Sequence, residues 1–129
     1  MLGENAFPVV ALAPNAARVT VSGKLRGRQA RQLGAELLRL ADEGVSRVVI
    51  DLRELTSIDS LGTYALEEGL DHGVRIHLVV PPTFRFDRFF SSRALSRRGL
   101  RVHRTLEQAV VAVRDIVDSG VSGGSLALV

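Results

Sequence analysis

A chain of 129 residues, 46% of them hydrophobic, is long enough for one domain with an ordinary core and too apolar for a disordered chain at its net charge of +3. The absence of cysteine excludes disulfide bonds and thiolate metal sites. No stretch approaches the roughly 18 apolar residues of a membrane-spanning helix, and the N-terminus lacks the positive region of a signal peptide. We therefore expect a cytoplasmic protein without membrane insertion.

The first half of the chain predicts two strands, a helix and a third strand. Residues 7–12 and 18–23 are short and β-rich, and a turn containing Pro and Asn separates them. Residues 27–44 repeat apolar side chains at helical spacing and end at a glycine, which predicts a helix. The run RVVIDL at 47–52 is almost continuously apolar, as in a strand buried on both faces, so we place it centrally in a sheet.

The second half of the chain continues the alternation of helices and strands. In chain order we predict a helix over 60–70, a strand over 74–80, a short helix over 83–95, a strand over 99–104 and a helix over 105–120. The last helix is the clearest, because Thr105 is a good N-cap and apolar residues follow it at helical spacing.

Strands that alternate with helices indicate parallel pairing and one sheet flanked by helices. We therefore predict an α/β fold, with a single domain over residues 1–118 and a flexible C-terminal tail over 119–129. The central β-sheet is expected to be mostly parallel and to contain four to five strands. No internal repeat or linker divides the chain.

A polar pair, Asp59 and Ser60, stands where the turn after the central strand gives way to the next helix. Sites in open α/β sheets gather beyond the carboxyl ends of strands. One of the two residues can cap the helix by accepting a hydrogen bond from an unpaired amide, and this role alone would explain the pair. A hydroxyl exposed at a helix N-terminus is also a good phosphate acceptor, because the helix dipole tolerates the added negative charge. Both interpretations stay open at this point.

The same segment resembles the motif of STAS domains, the fold of the anti-sigma factor antagonists. That motif consists of an apolar strand, an Asp, a turn, and then Asp-Ser-Ser-Gly at the start of a helix. The matching residues here are 48–52, Ile58, Asp59, Ser60 and Gly62. Three further segments are similar to the family's early strand, its following strand and its last helix, and they lie at 19–25, 73–82 and 104–113. The resemblance therefore covers nearly the whole chain.

The resemblance implies a regulatory binding module, without a cofactor, whose motif serine, here Ser60, is phosphorylated. Its partner would be an anti-sigma factor or a serine kinase of the GHKL type. The unphosphorylated domain would bind that partner and free a sigma factor, and the phosphate would switch binding off. The residues that the resemblance assigns to partner binding are Asp59, Ser60, Leu61, Gly62, Tyr64, Lys24 and Arg26. Two of them depart from the family, since Leu61 replaces the motif's second serine and Arg26 stands where many antagonists have an acidic residue.

Two other functions stay open. As a STAS module, the chain could instead be a soluble subunit that docks on the permease of an ABC-type lipid transporter. Alternatively, the stretch 85–104, with seven arginines against one aspartate, has the look of a basic-aromatic patch for nucleic acid. We expect no nucleic acid, because the spacing of Phe86, Phe89 and Phe90 fits a helix that buries these rings while the arginines face water.

An enzyme is not predicted. The sequence contains no glycine-rich phosphate loop and no histidine beside Ser60. The histidines, His72, His77 and His103, are scattered without the spacing of metal ligands, so we expect no metal site.

Overall fold

Seven strands and three helices make up the part of the chain that the computed structural model describes, residues 7–81 and 99–122. In chain order they are β1 (Val9–Ala13), β2 (Ala16–Thr20), β3 (Gly23–Leu25), α1 (Gly27–Asp42), β4 (Arg47–Asp51), β5 (Leu55–Ile58), α2 (Ser60–Asp71), β6 (Arg75–Val79), β7 (Leu100–His103) and α3 (Leu106–Ser122). Side chains of α3 are described as far as residue 114. The predicted helix over 83–95 lies outside the described residues, so the burial predicted for its three phenylalanines stays a prediction.

Five of these strands form one sheet in the order β1-β2-β4-β6-β7. β1 is antiparallel to β2, and the other three strand pairs are parallel. β4 lies at the centre, and its residues Val48, Val49 and Ile50 are fully buried. The prediction of a mostly parallel sheet of four to five strands around the apolar run at 47–52 is confirmed.

The two faces of the sheet carry different helices. Because strand side chains alternate between faces, one set of residues packs under α1 and α2, in a main core that includes Leu37, Ile50 and Leu66. The other set packs under α3, which contributes Ala109 and Val113 to a smaller cluster. Full burial of a leucine side chain stabilises a fold by about 1.5–3 kcal/mol, so the larger cluster under α1 and α2 supplies most of the hydrophobic stabilisation.

The structure also contains a second, two-stranded sheet that the sequence did not predict. β3 and β5 pair in parallel, with Lys24 opposite Ser57 and Leu25 opposite Ile58. The sequence predicts one strand over 18–23 and only a turn before Ile58, so β3 and β5 were missed. Strands of three and four residues are too short to show a hydrophobic period. The pairing matters for function, since β3 leads directly into α1 and β5 into α2. It therefore sets the first turns of both helices side by side.

The predicted N-cap of the last helix is confirmed. Thr105 Oγ1 accepts a hydrogen bond from Gln108 N–H at 3.1 Å, and Gln108 Oε1 accepts one from Thr105 N–H at 3.3 Å. This reciprocal arrangement is a capping box. α3 continues to Ser122, so it enters the stretch expected to be a tail, and the domain boundary after residue 118 stays a prediction. Residues 123–129 lie outside the described part of the chain.

Candidate functional site

Helix α2 begins at a capping aspartate. Asp59 has an extended backbone, with φ −112° and ψ −174°, and its Oδ1 accepts a hydrogen bond from Gly62 N–H at 3.0 Å. This is N-cap geometry, in which a carboxylate satisfies one of the amides that a helix start leaves unpaired. Asp59 is therefore the cap of the pair, and Ser60 occupies the first helical position.

The second carboxylate oxygen of Asp59 reaches the neighbouring helix. Asp59 Oδ2 accepts a hydrogen bond from Gly27 N–H at 3.1 Å. Gly27 is the first residue of α1, whose own N-cap, Arg26, makes no side-chain capping bond. One carboxylate thus serves the N-termini of two helices. This hydrogen bond could not be predicted from the sequence, because Gly27 and Asp59 lie 32 positions apart.

The electrostatics keep this carboxylate ionised. Partial burial disfavours its charge, but hydrogen bonds from the amides of Gly62, Gly27 and Leu61 outweigh that effect. Together with the positive charge of Arg26, they hold the pKa of Asp59 below its ordinary value. The double cap is therefore intact at neutral pH, and it fixes the chain on which Ser60 sits.

Ser60 lies on an exposed, partly apolar surface. The residue is exposed in the first turn of α2. Leu61 and Tyr64 follow it on the same helix and are 40% and 60% exposed. They are two of the five large hydrophobic side chains that are exposed in the described part of the chain, so apolar surface is concentrated beside the hydroxyl. Such concentrations are typical of protein-binding surfaces.

Gly62 packs against the β3–β5 pair too closely for any side chain. A Cβ atom at this position would lie 2.6 Å from Ile58 Cγ1 and 2.8 Å from the carbonyl oxygen of Leu25. Carbon atoms in contact normally stay about 3.5–4.0 Å apart. The carbonyl is also held in place, because it accepts a hydrogen bond from Asp59 N–H at 3.3 Å. The glycine therefore lets the first turn of α2 rest directly on these two strands.

The two basic residues assigned to partner binding approach the same site from β3. Lys24 and Arg26 are exposed, while Leu25 between them is buried. The structure therefore brings all seven assigned residues into two adjacent segments, the end of β3 and the start of α2, which Asp59 joins. Their role in partner binding stays a prediction.

A buried carboxylate paired with a half-exposed arginine supports the site from the carboxyl end of β4. Asp51 is 5% exposed, and it accepts hydrogen bonds from Arg53 Nε at 2.9 Å, Arg53 Nη2 at 2.8 Å and Arg53 N–H at 3.1 Å. Burial alone would raise the pKa of Asp51, but the hydrogen bonds from Arg53 and its positive charge lower it overall. These hydrogen bonds hold the turn between β4 and β5 in place, and β5 leads directly to Asp59.

Two histidines that are distant in sequence meet on the opposite face of the sheet. The rings of His77 and His103 stack with centroids 5.2 Å apart, and His77 Nδ1 lies 3.0 Å from His103 Nε2. Burial, followed by the nearby charges of His103 and Arg101, lowers the pKa of His77 to about 4. His77 is therefore neutral at pH 7, and burial also lowers the pKa of His103. Within residues 7–81 and 99–122 no group of three or more potential ligands could hold a metal ion.

At this site the double cap of Asp59 holds a helix start that presents an exposed hydroxyl beside two exposed apolar side chains. The family model described as Mlab, STAS domain matches residues 9–107, which is more than half of the chain. The chain belongs to the STAS domain family, and the resemblance seen in the Asp-Ser-Leu-Gly motif is confirmed.

Solved structures with the same fold include anti-sigma factor antagonists. One from Mycobacterium paratuberculosis has 22% identity and a TM-score of 0.67, with 84% of this chain and 93% of that chain covered. The antagonist SpoIIAA in its unphosphorylated form has 15% identity and a TM-score of 0.60, covering 88% and 98% of the two chains. The Bacillus cell fate determinant SpoIIAA in its phosphorylated form has 18% identity and a TM-score of 0.61, covering 84% and 99%.

A search of curated protein sequences found no significant match to this chain. In the described residues, no helix combines the length and the apolar character needed to cross a membrane.

Proposed function

We propose that the chain is a phosphorylation-switched binding module of the anti-sigma factor antagonist type, and not an enzyme. With Ser60 unmodified, the surface formed by Ser60, Leu61 and Tyr64 binds an anti-sigma factor and so frees a sigma factor. The observation that carries this proposal is the exposed hydroxyl at a helix start held by both oxygens of Asp59, beside two exposed apolar side chains. Support also comes from the relative SpoIIAA, whose structure is known in both an unphosphorylated and a phosphorylated form.

The kinase in this proposal is the anti-sigma factor itself or another serine kinase of the GHKL type. The Ser60 Oγ attacks the γ-phosphorus of a nucleoside triphosphate held by the kinase, and its proton passes to a base of the kinase. The bond from the γ-phosphorus to the bridging oxygen breaks, and the nucleoside diphosphate leaves. The α2 N-terminus accommodates the new anion, because interaction with the helix dipole favours it by about 0.3–1 kcal/mol.

The phosphate acts on the partner and leaves the fold intact. It adds a charge of about −2 to the docking surface. A partner that packs on Leu61 and Tyr64 would have to remove this charge from water, which costs several kcal/mol unless the partner supplies cations. Binding is therefore lost while the domain remains folded.

The test compares wild type with Ser60→Asp and Ser60→Ala. Each protein is used to capture partners from the cytoplasm of the source cell, and the captured anti-sigma factor is then purified and titrated calorimetrically. Ser60→Ala should bind as wild type does, and Ser60→Asp should bind at least tenfold more weakly, a loss of about 1.4 kcal/mol or more. Ala35→Glu is the matched control, because it adds the same single negative charge on an exposed turn of α1. Equal binding by Ser60→Asp and wild type would contradict the switch.

The same capture experiment tests the transporter alternative. A STAS subunit of an ABC-type lipid transporter would retain the permease or its ATPase with wild type and Ser60→Asp alike. Capture of those proteins, without any anti-sigma factor, would replace the sigma-regulator proposal with the transporter one.

A further inference from the structure

The parallel register of β3 and β5 sets Lys24 and Arg26 alongside the segment that leads into Ser60. Lys24 stands opposite Ser57 and Leu25 opposite Ile58, so the next step along both chains sets Arg26 level with Asp59. Side chains of a strand alternate. Because Leu25 points into the core, Lys24 and Arg26 both extend on the exposed side.

Arg26 is coupled to the start of α2 through both backbone and charge. The two peptide groups that flank Arg26 bond to Asp59, since Leu25 O accepts from Asp59 N–H at 3.3 Å and Gly27 N–H donates to Asp59 Oδ2 at 3.1 Å. The guanidinium charge contributes to the lowered pKa of Asp59. Its positive potential thus already acts on the residue that precedes Ser60.

No salt bridge holds the side chains of these two cations within the described part of the chain. The ion pairs among the described residues involve Arg39 and Arg53, and neither Lys24 nor Arg26 takes part in one. The nearest carboxylate to Arg26 along the register is Asp59, whose two oxygens already accept hydrogen bonds from Gly62 and Gly27. Arg26 therefore keeps its guanidinium donors available for another anion.

We propose that the chain clamps its own phosphate: a phosphoryl group on Ser60 is held by the guanidinium of Arg26, with Lys24 as the second cation. This inference rests on the proposed function in taking Ser60 as the phosphorylated residue. Arginine suits the role, because its planar donors match phosphate oxygens in pairs. The charged residues of these two segments are then Lys24 on β3, Arg26 and Arg28 at the start of α1, and Asp59, whose negative charge opposes the phosphate.

The clamp strengthens the switch beyond simple repulsion. In the unphosphorylated protein, Lys24 and Arg26 form a basic rim beside the apolar Leu61 and Tyr64, and this rim fits carboxylates on a partner. In the phosphorylated protein, the same cations are occupied by the chain's own phosphate. Phosphorylation therefore removes the attraction of Lys24 and Arg26 for the partner and adds the repulsion of the phosphate.

The test needs no partner and no kinase, because phosphoserine can be incorporated at position 60 by genetic code expansion. The second pKa of the phosphate, ordinarily about 6, is measured by 31P NMR during a pH titration. The wild-type clamp should hold it below that value, and Arg26→Ala should raise it by about 0.5 pH unit, as expected for a surface charge at contact distance. Arg26→Lys should retain most of the effect, and about 1 M salt should remove most of it by screening.

Arg114→Ala is the matched control, because it removes one exposed arginine from α3 on the opposite face of the sheet and should leave the phosphate pKa unchanged. If Arg26→Ala and Lys24→Ala both titrate like the unsubstituted phosphoprotein, the phosphate is held by water and the clamp is wrong. The switch itself is tested separately, by the partner titration, and it is wrong if Ser60→Asp binds the partner as tightly as wild type. The two proposals therefore fail in different experiments.

Discussion

Replacement of Gly62 by alanine should destabilise the protein strongly for a change of one methyl group. The new Cβ would lie 2.6 Å from Ile58 Cγ1 and 2.8 Å from the Leu25 carbonyl oxygen, about 1 Å inside normal contact distance. The side chain of Ile58 can rotate only within a packed core, and the carbonyl belongs to the backbone that supports Asp59. Overpacking of this kind typically costs about 1–3 kcal/mol, and we expect the upper part of that range.

The chain provides a matched control in Gly34 on α1. A Cβ there would meet Glu68 Oε1 at 3.4 Å and Ala65 Cβ at 3.6 Å, which are ordinary contacts. Glycine inside a helix costs about 0.5–1 kcal/mol relative to alanine, so Gly34→Ala should be neutral or stabilising. The two variants should then differ by about 2–4 kcal/mol, although both are glycine-to-alanine changes at buried helical positions.

The assay is equilibrium urea unfolding of wild type and both variants, followed by circular dichroism at 222 nm, with melting temperatures as a second measurement. For a domain of this size, about 1 kcal/mol corresponds to roughly 3–6 °C in Tm, so the two variants should melt about 10 °C apart. An unchanged urea midpoint for Gly62→Ala would refute the reasoning, because the first turn of α2 could then move away from β3 and β5 without cost.

Three further predictions follow from the same structure. The pKa of His77 is about 4 in the folded protein and about 6.5 when unfolded, so the unfolded chain binds more protons between these two pH values. The unfolding free energy should therefore fall by about 2 kcal/mol as the pH drops through this window, after allowance for solvent screening. A urea midpoint that stays constant from pH 7 to 4 would contradict this. Arg53→Gln leaves the buried Asp51 without its cation and should lower the unfolding free energy by about 1–3 kcal/mol at pH 7. The loss should become smaller in acid as the carboxyl is protonated. Asp59→Ala removes the cap from two helices and should lower Tm by several degrees, more than Asp59→Asn, which keeps one acceptor oxygen. If both variants melted at the same temperature, the hydrogen bond that Asn retains would contribute no stability.

The elements that the sequence predicted well are those whose signal is local. The apolar run at 47–52 indicates a strand buried on both faces, and the helical spacing of apolar residues in 27–44 and 105–120 predicts α1 and α3 to within about two residues at each end. Capping is also local, since Thr105 and its partner lie three positions apart. The Asp-Ser pair could likewise be placed at a helix start from its neighbours alone, because an N-cap depends on residues within one turn.

Contacts between distant residues were decided only by the tertiary structure. The sequence left open whether Asp59 or Ser60 caps α2, and gave no sign that the same carboxylate also binds Gly27. The pairing of β3 with β5 and the meeting of His77 with His103 likewise join segments that share no periodic pattern. Such contacts depend on how the sheet orders its strands, and strand order is set by the burial of whole faces. The chain itself therefore determined that a hydroxyl stands at a helix start, while the fold determined which charges and apolar side chains surround it.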